Sequence, residues 1–154
     1  MGERNSEYER MEKDSYITPF WVYDALFCRE AFYPTPWDCA PVDANFDFLR
    51  KRKLPKGHRN IATNPPYSHA EEFCRHAIEL TMETEGKVAM LLRHAFDTAK
   101  TRVDLFGPPF KVKYVLTRRI RWENLEQKAA GPSSNHAWYV WDHQYEGPPL
   151  IGWI

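Results

Sequence analysis

Asn60-Ile61-Ala62-Thr63-Asn64-Pro65-Pro66-Tyr67 sets a short apolar run directly before a turn stiffened by two prolines. The run reads as a buried strand. Behind the turn, Ser68-His69-Ala70-Glu71 has the Ser-x-x-Glu spacing of a capping box, which predicts a helix start. Successive prolines fix the backbone and remove two N–H donors, so the turn is expected to be rigid and exposed at the carboxyl end of the strand. In open α/β sheets ligands bind at that end. Asn-Pro and Pro-Pro are also ordinary turn punctuation, and it is the strand before and the capped helix after that favour a site. An amide, a stiff turn and an aromatic ring can together grip a planar amino group. Asn64 Oδ1 and the Pro65 carbonyl would accept its two N–H bonds, and Tyr67 would stack on the ring that carries it.

Downstream, residues 68–82 put Phe73, Ala77 and Leu80 on one helical face. Gly86 punctuates, and residues 87–92 form an apolar run read as a buried strand. Residues 95–106 are expected to be a helix with Phe96, Ala99, Val103 and Phe106 toward the core. Gly107-Pro108-Pro109 ends it. Residues 111–116 and 136–141 read as strands, with a polar excursion at 123–135 between them. Upstream, the basic segment 50–59 contains Pro55 and Gly57 and reads as a loop. Residues 31–47 carry Pro34, Pro36 and Pro41 and allow at most a short strand around Trp37–Ala40. Thr18-Pro19 reads as N-cap and first residue of a helix running to about Cys28. Residues 1–13 form a polar arm, and residues 14–154 a single domain with no separate target-recognition domain. The alternation of strand and helix predicts an α/β fold with right-handed crossovers.

With 154 residues, 43% hydrophobic and 15% aromatic, the chain can bury one substantial core. No apolar run approaches the roughly 18 residues of a membrane span, and the polar N-terminus lacks a secretory apolar region. Cys28, Cys39 and Cys74 are odd in number and widely spaced, which fits reduced thiols in a cytoplasmic protein. Neither they nor the six histidines show a ligand spacing, so no metal is expected. The 21 basic and 21 acidic side chains balance, against the basic footprint usual for nucleic-acid binding. The charge is uneven, however. Arg50-Lys51-Arg52-Lys53, with Lys56, His58 and Arg59, forms one basic cluster, and Arg118, Arg119 and Arg121 form a second. Each is either a solvated face or a phosphate-contact surface, and both are expected to converge on the sheet edge that carries the Asn64 turn.

Asn-Pro-Pro-Tyr after a strand resembles the catalytic motif of amino methyltransferases that use S-adenosylmethionine. Within that group the chain is most similar to the small phage- and prophage-type DNA N6-adenine methyltransferases. Four segments carry the likeness: Asp14-Ser15-Tyr16-Ile17-Thr18-Pro19, Phe46-Asp47-Phe48-Leu49, Asn64–Tyr67, and Ser134-Asn135-His136-Ala137-Trp138-Tyr139-Val140-Trp141-Asp142. The resemblance implies a compact Rossmann-like methyltransferase sheet, mostly parallel with a C-terminal antiparallel hairpin. It implies methyl transfer from S-adenosylmethionine to the N6 amino group of adenine in DNA. Asn64, Pro65, Pro66 and Tyr67 would be catalytic. Tyr16, Thr18, Pro19, Asp38, Asp47 and Phe48 would hold the cofactor. Arg50, Lys51, Arg52, Lys53, Arg118, Arg119 and Arg121 would contact DNA. Where such folds carry a Gly-x-Gly loop, this chain has no glycine from Ala31 through Lys56, and Asp38 and Cys39 stand there instead.

Two other activities share some of these features. Asn-Pro-Pro-Tyr also looks like the motif of protein glutamine and RNA guanine amino methyltransferases. The missing glycine loop and neutral charge suit a degenerate nucleic-acid-binding module that has lost its cofactor.

Overall fold

A computed structural model of the chain describes residues 17–40, 47–122 and 134–154. The polar arm, Tyr16, residues 123–133 of the polar excursion and the Asp47 side chain lie outside the described residues. Five strands, β1 (Ile61–Thr63), β2 (Lys87–Arg93), β3 (Phe110–Val115), β4 (His136–Asp142) and β5 (Leu150–Trp153), form one sheet in the order β1-β2-β4-β3-β5. β1 pairs parallel with β2, and β3 with β5, whereas β4 runs antiparallel to both β2 and β3. The α/β class therefore stands, but the sheet is mixed rather than mostly parallel. The expected antiparallel partner near the C-terminus is present, since β4 pairs antiparallel with the preceding β3, but the final strand β5 does not extend that pair. β2 and β3 already occupy both edges of β4, so β5 bonds to the free edge of β3, in parallel.

The helices α1 (Phe20–Phe27) and α2 (Ala70–Met82) cover opposite faces. Along β2, Val88, Met90 and Leu92 pack on the α2 side with Phe73 and Ala77, while Ala89 and Leu91 pack on the α1 side with Val22 and Leu26. On β4, Tyr139 and Trp141 face α2, and Trp138 and Val140 face α1. A strand covered on both faces has no polar side, which is why these segments read as unbroken apolar runs. The two buried indoles of β4 each find an acceptor, as they must away from water. Trp138 Nε1 donates to the Val22 carbonyl at 2.9 Å, and Trp141 Nε1 donates to the Leu105 carbonyl at 2.7 Å.

Local signals were overridden in four places. The α-helix begins at Ala70, behind a 3-10 turn at Tyr67–His69, so Ser68 and Glu71 do not form the expected capping box. Glu71 instead takes ion pairs from Arg75 (3.0 Å) and Arg102 (3.1 Å). Helix α1 is capped by Pro19, with no side-chain cap from Thr18. The segment 95–106 is not an α-helix but two 3-10 runs, His94–Thr98 and Lys100–Phe106, parted by an extended Ala99. Asp97 is drawn to Lys113 Nζ at 2.7 Å and Thr98 Oγ1 turns back to the Ala95 carbonyl, ties that favour a short turn over a continuing helix. In consequence Val103 is 66% exposed instead of facing the core. The expected strand around Trp37–Ala40 is reduced to one parallel bridge, Trp37 to Ile61.

The pairing directions sort the chain into two edges. The carboxyl ends of β1, β2, β3 and β5 meet the amino end of β4 at one of them. At the opposite, amino edge, buried Glu30 accepts from Tyr114 (2.7 Å), Lys111 (2.9 Å) and Lys87 (3.0 Å). Burial alone would raise the Glu30 pKa, but these three donors hold it below the ordinary carboxylate value.

Candidate functional site

Asn64 leaves the carboxyl end of β1 with its side chain half-buried. Its Nδ2 donates to Thr18 Oγ1 at 3.2 Å, which fixes the amide plane. Oδ1 is buried and has no hydrogen-bond partner among the described residues. Pro65 and Pro66 are buried too, so the turn is sunk into the fold and not exposed as expected. Prolines tolerate this because they bring no N–H that needs a partner. The Pro66 carbonyl accepts from the His69 N–H at 3.0 Å.

Beside Asn64 the last residue of β1 ties down the neighbouring loop. Thr63 Oγ1 donates to Asp38 Oδ1 at 2.6 Å, and the Ala40 N–H reaches both Thr63 Oγ1 (3.1 Å) and Asp38 Oδ1 (3.2 Å). Tyr23 OH, from α1, donates to Asp38 Oδ2 at 2.9 Å. Burial and the adjacent Asp38 charge push the Tyr23 phenol far above its ordinary pKa, while the Thr18 hydroxyl acts on its oxygen in the opposite sense. Thr18 thus holds Asn64, and Tyr23 holds Asp38, on the same side of the site. Burial and Asp38 likewise raise the pKa of the Cys39 thiol, so it stays protonated and is a poor nucleophile.

Tyr67 is half-buried on the other flank. The Arg93 guanidinium, at the end of β2, lies 5.6 Å from its ring centroid, and the His136 ring, at the start of β4, lies 5.7 Å away with a tilt of 32°. His136 is 2% exposed and also meets Trp122 edge-on at 5.3 Å. Burial lowers its pKa to about 4, and Arg93 pushes the same way, so the imidazole is neutral at pH 7. Arg119 Nε donates to Asn135 Oδ1 at 3.0 Å, and the Arg118 guanidinium lies 4.6 Å from the Trp21 ring centroid.

The carboxyl edge therefore gathers Thr18, Pro19, Asp38, Asn64–Tyr67, Arg118, Arg119 and Arg121. The first basic cluster lies elsewhere. Residues 50–53 precede β1, and Lys51, Arg52 and Lys53 lie against the C-terminal half of α2 at the amino edge. The Phe48 ring is 3% exposed and packs on Phe73 (4.9 Å) and His76 (5.0 Å), within the core. Tyr23, Thr63, Arg93 and His136 complete the site without having been singled out in the sequence. Thr63 and Arg93 had one signal, since each is the final residue of a strand that ends at this edge. Among the described residues no group of three or more His, Cys, Asp or Glu side chains is placed to hold a metal, and no helix is long and apolar enough to cross a membrane. Compared with known proteins, the chain matches no protein-family model and no curated protein sequence.

Proposed function

We propose that the chain is an S-adenosylmethionine-dependent methyltransferase with a Rossmann-like core, acting on the N6 amino group of adenine in DNA. The observation that carries this reading is the Asn64 amide: Nδ2 is tied to Thr18, and Oδ1 is buried with no partner among the described residues at the carboxyl end of a strand. An adenine amino group is a weak nucleophile because its lone pair is delocalised into the ring. Asn64 Oδ1 and the Pro65 carbonyl would accept its two N–H bonds and draw the lone pair back onto nitrogen. Such contacts strengthen as the nitrogen becomes tetrahedral, so they favour the transition state over the bound base. Tyr67 would stack on a base turned out of the duplex.

The methyl donor supplies an electrophilic methyl group on a sulfonium, and the residues at this edge suit it in part. Asp38 is exposed, and a carboxylate offers about four lone-pair sites. Thr63, Ala40 and Tyr23 use three, which leaves one on Oδ2 for a ligand hydroxyl or amine. Thr18 and Pro19 would line the same side. The reading is tested by incubating the chain with methyl-labelled S-adenosylmethionine and adenine-containing DNA. Asn64→Ala should reduce transfer by about 100-fold or more, since one preorganised acceptor is worth roughly 3 kcal/mol in the transition state, while donor binding persists. Transfer at the parent rate would leave Asn64 as turn residue only.

A second reading, a nucleic-acid-binding module without a donor, is favoured by how fully the chain's own groups engage Asp38. Calorimetric titration with S-adenosylmethionine separates the two, because only the methyltransferase releases heat.

A further inference from the structure

At the amino edge, on the far side of the sheet from Asn64, the loop before β1 folds over the C-terminal half of α2 and bounds a cavity of 470 Å³. Four cations within six residues, Lys51, Arg52, Lys53 and Lys56, line it. Gly57, at φ +86°, adopts the left-handed turn that brings His58 back to the same wall. Glu79 and Glu83 stand on the α2 wall, yet among the described residues neither lies within ion-pair distance of a cation. Two more polar groups are unsatisfied there. His58 Nδ1 and His76 Nε2 are buried with no hydrogen-bond partner among the described residues. Their rings are held by aromatic neighbours, His76 edge-on to Phe48 at 5.0 Å and His58 tilted toward Trp37 at 6.5 Å.

We propose that this cavity is a binding site for a small phosphomonoester, separate from the Asn64 site. Four cations against two carboxylates leave the lining a formal +2, which matches a phosphate dianion. The two imidazoles can each turn an N–H toward its oxygens. A bare phosphate is far smaller than the cavity, whose volume falls within the roughly 300–1,000 Å³ of small-molecule sites. Leu54, Pro55 and Leu80 supply an apolar surface for the organic body of the ester.

The imidazole proton resonances of His58 and His76 report occupancy directly. Titration with uridine 5′-monophosphate should shift both saturably, at least tenfold more tightly than inorganic phosphate, and uridine alone should do nothing. The double variant Arg52→Gln/Lys56→Gln changes exposed side chains only, and should weaken the monophosphate at least tenfold with an unaltered thermal midpoint. His76→Gln should weaken it as well. Asn64→Ala should bind like the parent, so loss of the methyltransferase reading leaves this one standing. Absence of a saturable shift, equal shifts with uridine, or unchanged affinity in the double variant would overturn the proposal. So would tighter binding of a thymidine octamer lacking terminal phosphates, which would assign the cations to a nucleic-acid backbone.

Discussion

The two ends of the Asn64 amide are treated differently by the fold: Nδ2 is bonded to Thr18, and Oδ1 is buried with no partner among the described residues. A buried carbonyl without a partner costs about 1–3 kcal/mol, and a bound amino group would remove that cost. Tyr67 admits a similar argument. If its ring acts by stacking, Tyr67→Phe should keep substrate affinity and Tyr67→Ala should lose about 1–3 kcal/mol of binding per stacked base. Equal losses measured by DNA titration of both variants would shift the role to the hydroxyl. His136 yields a pH prediction. Its folded pKa, about 4, lies below the ordinary 6.5, so between those values the unfolded chain binds the extra proton. Stability should therefore rise with pH across that window, by about 3 kcal/mol in full, and fall by roughly 2 kcal/mol on going from pH 7 to pH 5. Urea unfolding at both pH values checks this. His136→Phe should lose that part of the dependence, and an unchanged slope in the variant would remove His136 as its source.

At the level of elements, the apolar cores of β1, β2 and β4 were legible because burial on both faces leaves no other residue type tolerable. Helix starts and the 95–106 segment were not, because their outcome depends on partners distant in sequence. Glu71 fits a capping box by spacing, but Arg102, 31 residues on, recruits it. Asp97 fits a helix by position, but Lys113 and Tyr139 pull it aside. β5 was missed because Leu150-Ile151-Gly152-Trp153 is a short edge strand with largely exposed side chains, so no alternation marks it. The same contrast predicts stability. Phe73→Ala, at a fully buried α2 position, should cost about 3–5 kcal/mol. Val103→Ala, which helical spacing would place in the core, should stay within about 0.5 kcal/mol because that residue is exposed. Chemical denaturation of the two variants compares them directly, and a large loss at Val103 would contradict the broken 3-10 arrangement.

For the whole molecule, the sheet directions decide which charges can act together. Arg118, Arg119 and Arg121 follow β3 and reach the edge that carries Asn64, Tyr67 and Arg93. Arg50–Lys53 precede β1 and sit at the other end. A local concentration of charge thus becomes possible in a chain whose 21 cations and 21 anions cancel. Among the described residues no carboxylate pairs with Arg118, Arg119 or Arg121, and Glu71, an acidic candidate nearby in sequence to the motif, is committed to Arg75 and Arg102. The two clusters should therefore respond differently to neutralisation. Replacing Arg118, Arg119 and Arg121 by Gln should weaken DNA binding alike for all sequences. It should also flatten the dependence of log affinity on log salt by about one unit for each phosphate contact removed. Replacing Arg50–Lys53 by Gln should leave both quantities at the parent values, because a duplex docked on the Asn64 edge does not reach the opposite end of β1. Binding measured at several salt concentrations for the parent and both variants tests the arrangement. Parallel slopes for all three would remove the second cluster from the DNA path, and equal flattening in both variants would mean that DNA wraps the sheet from one edge to the other.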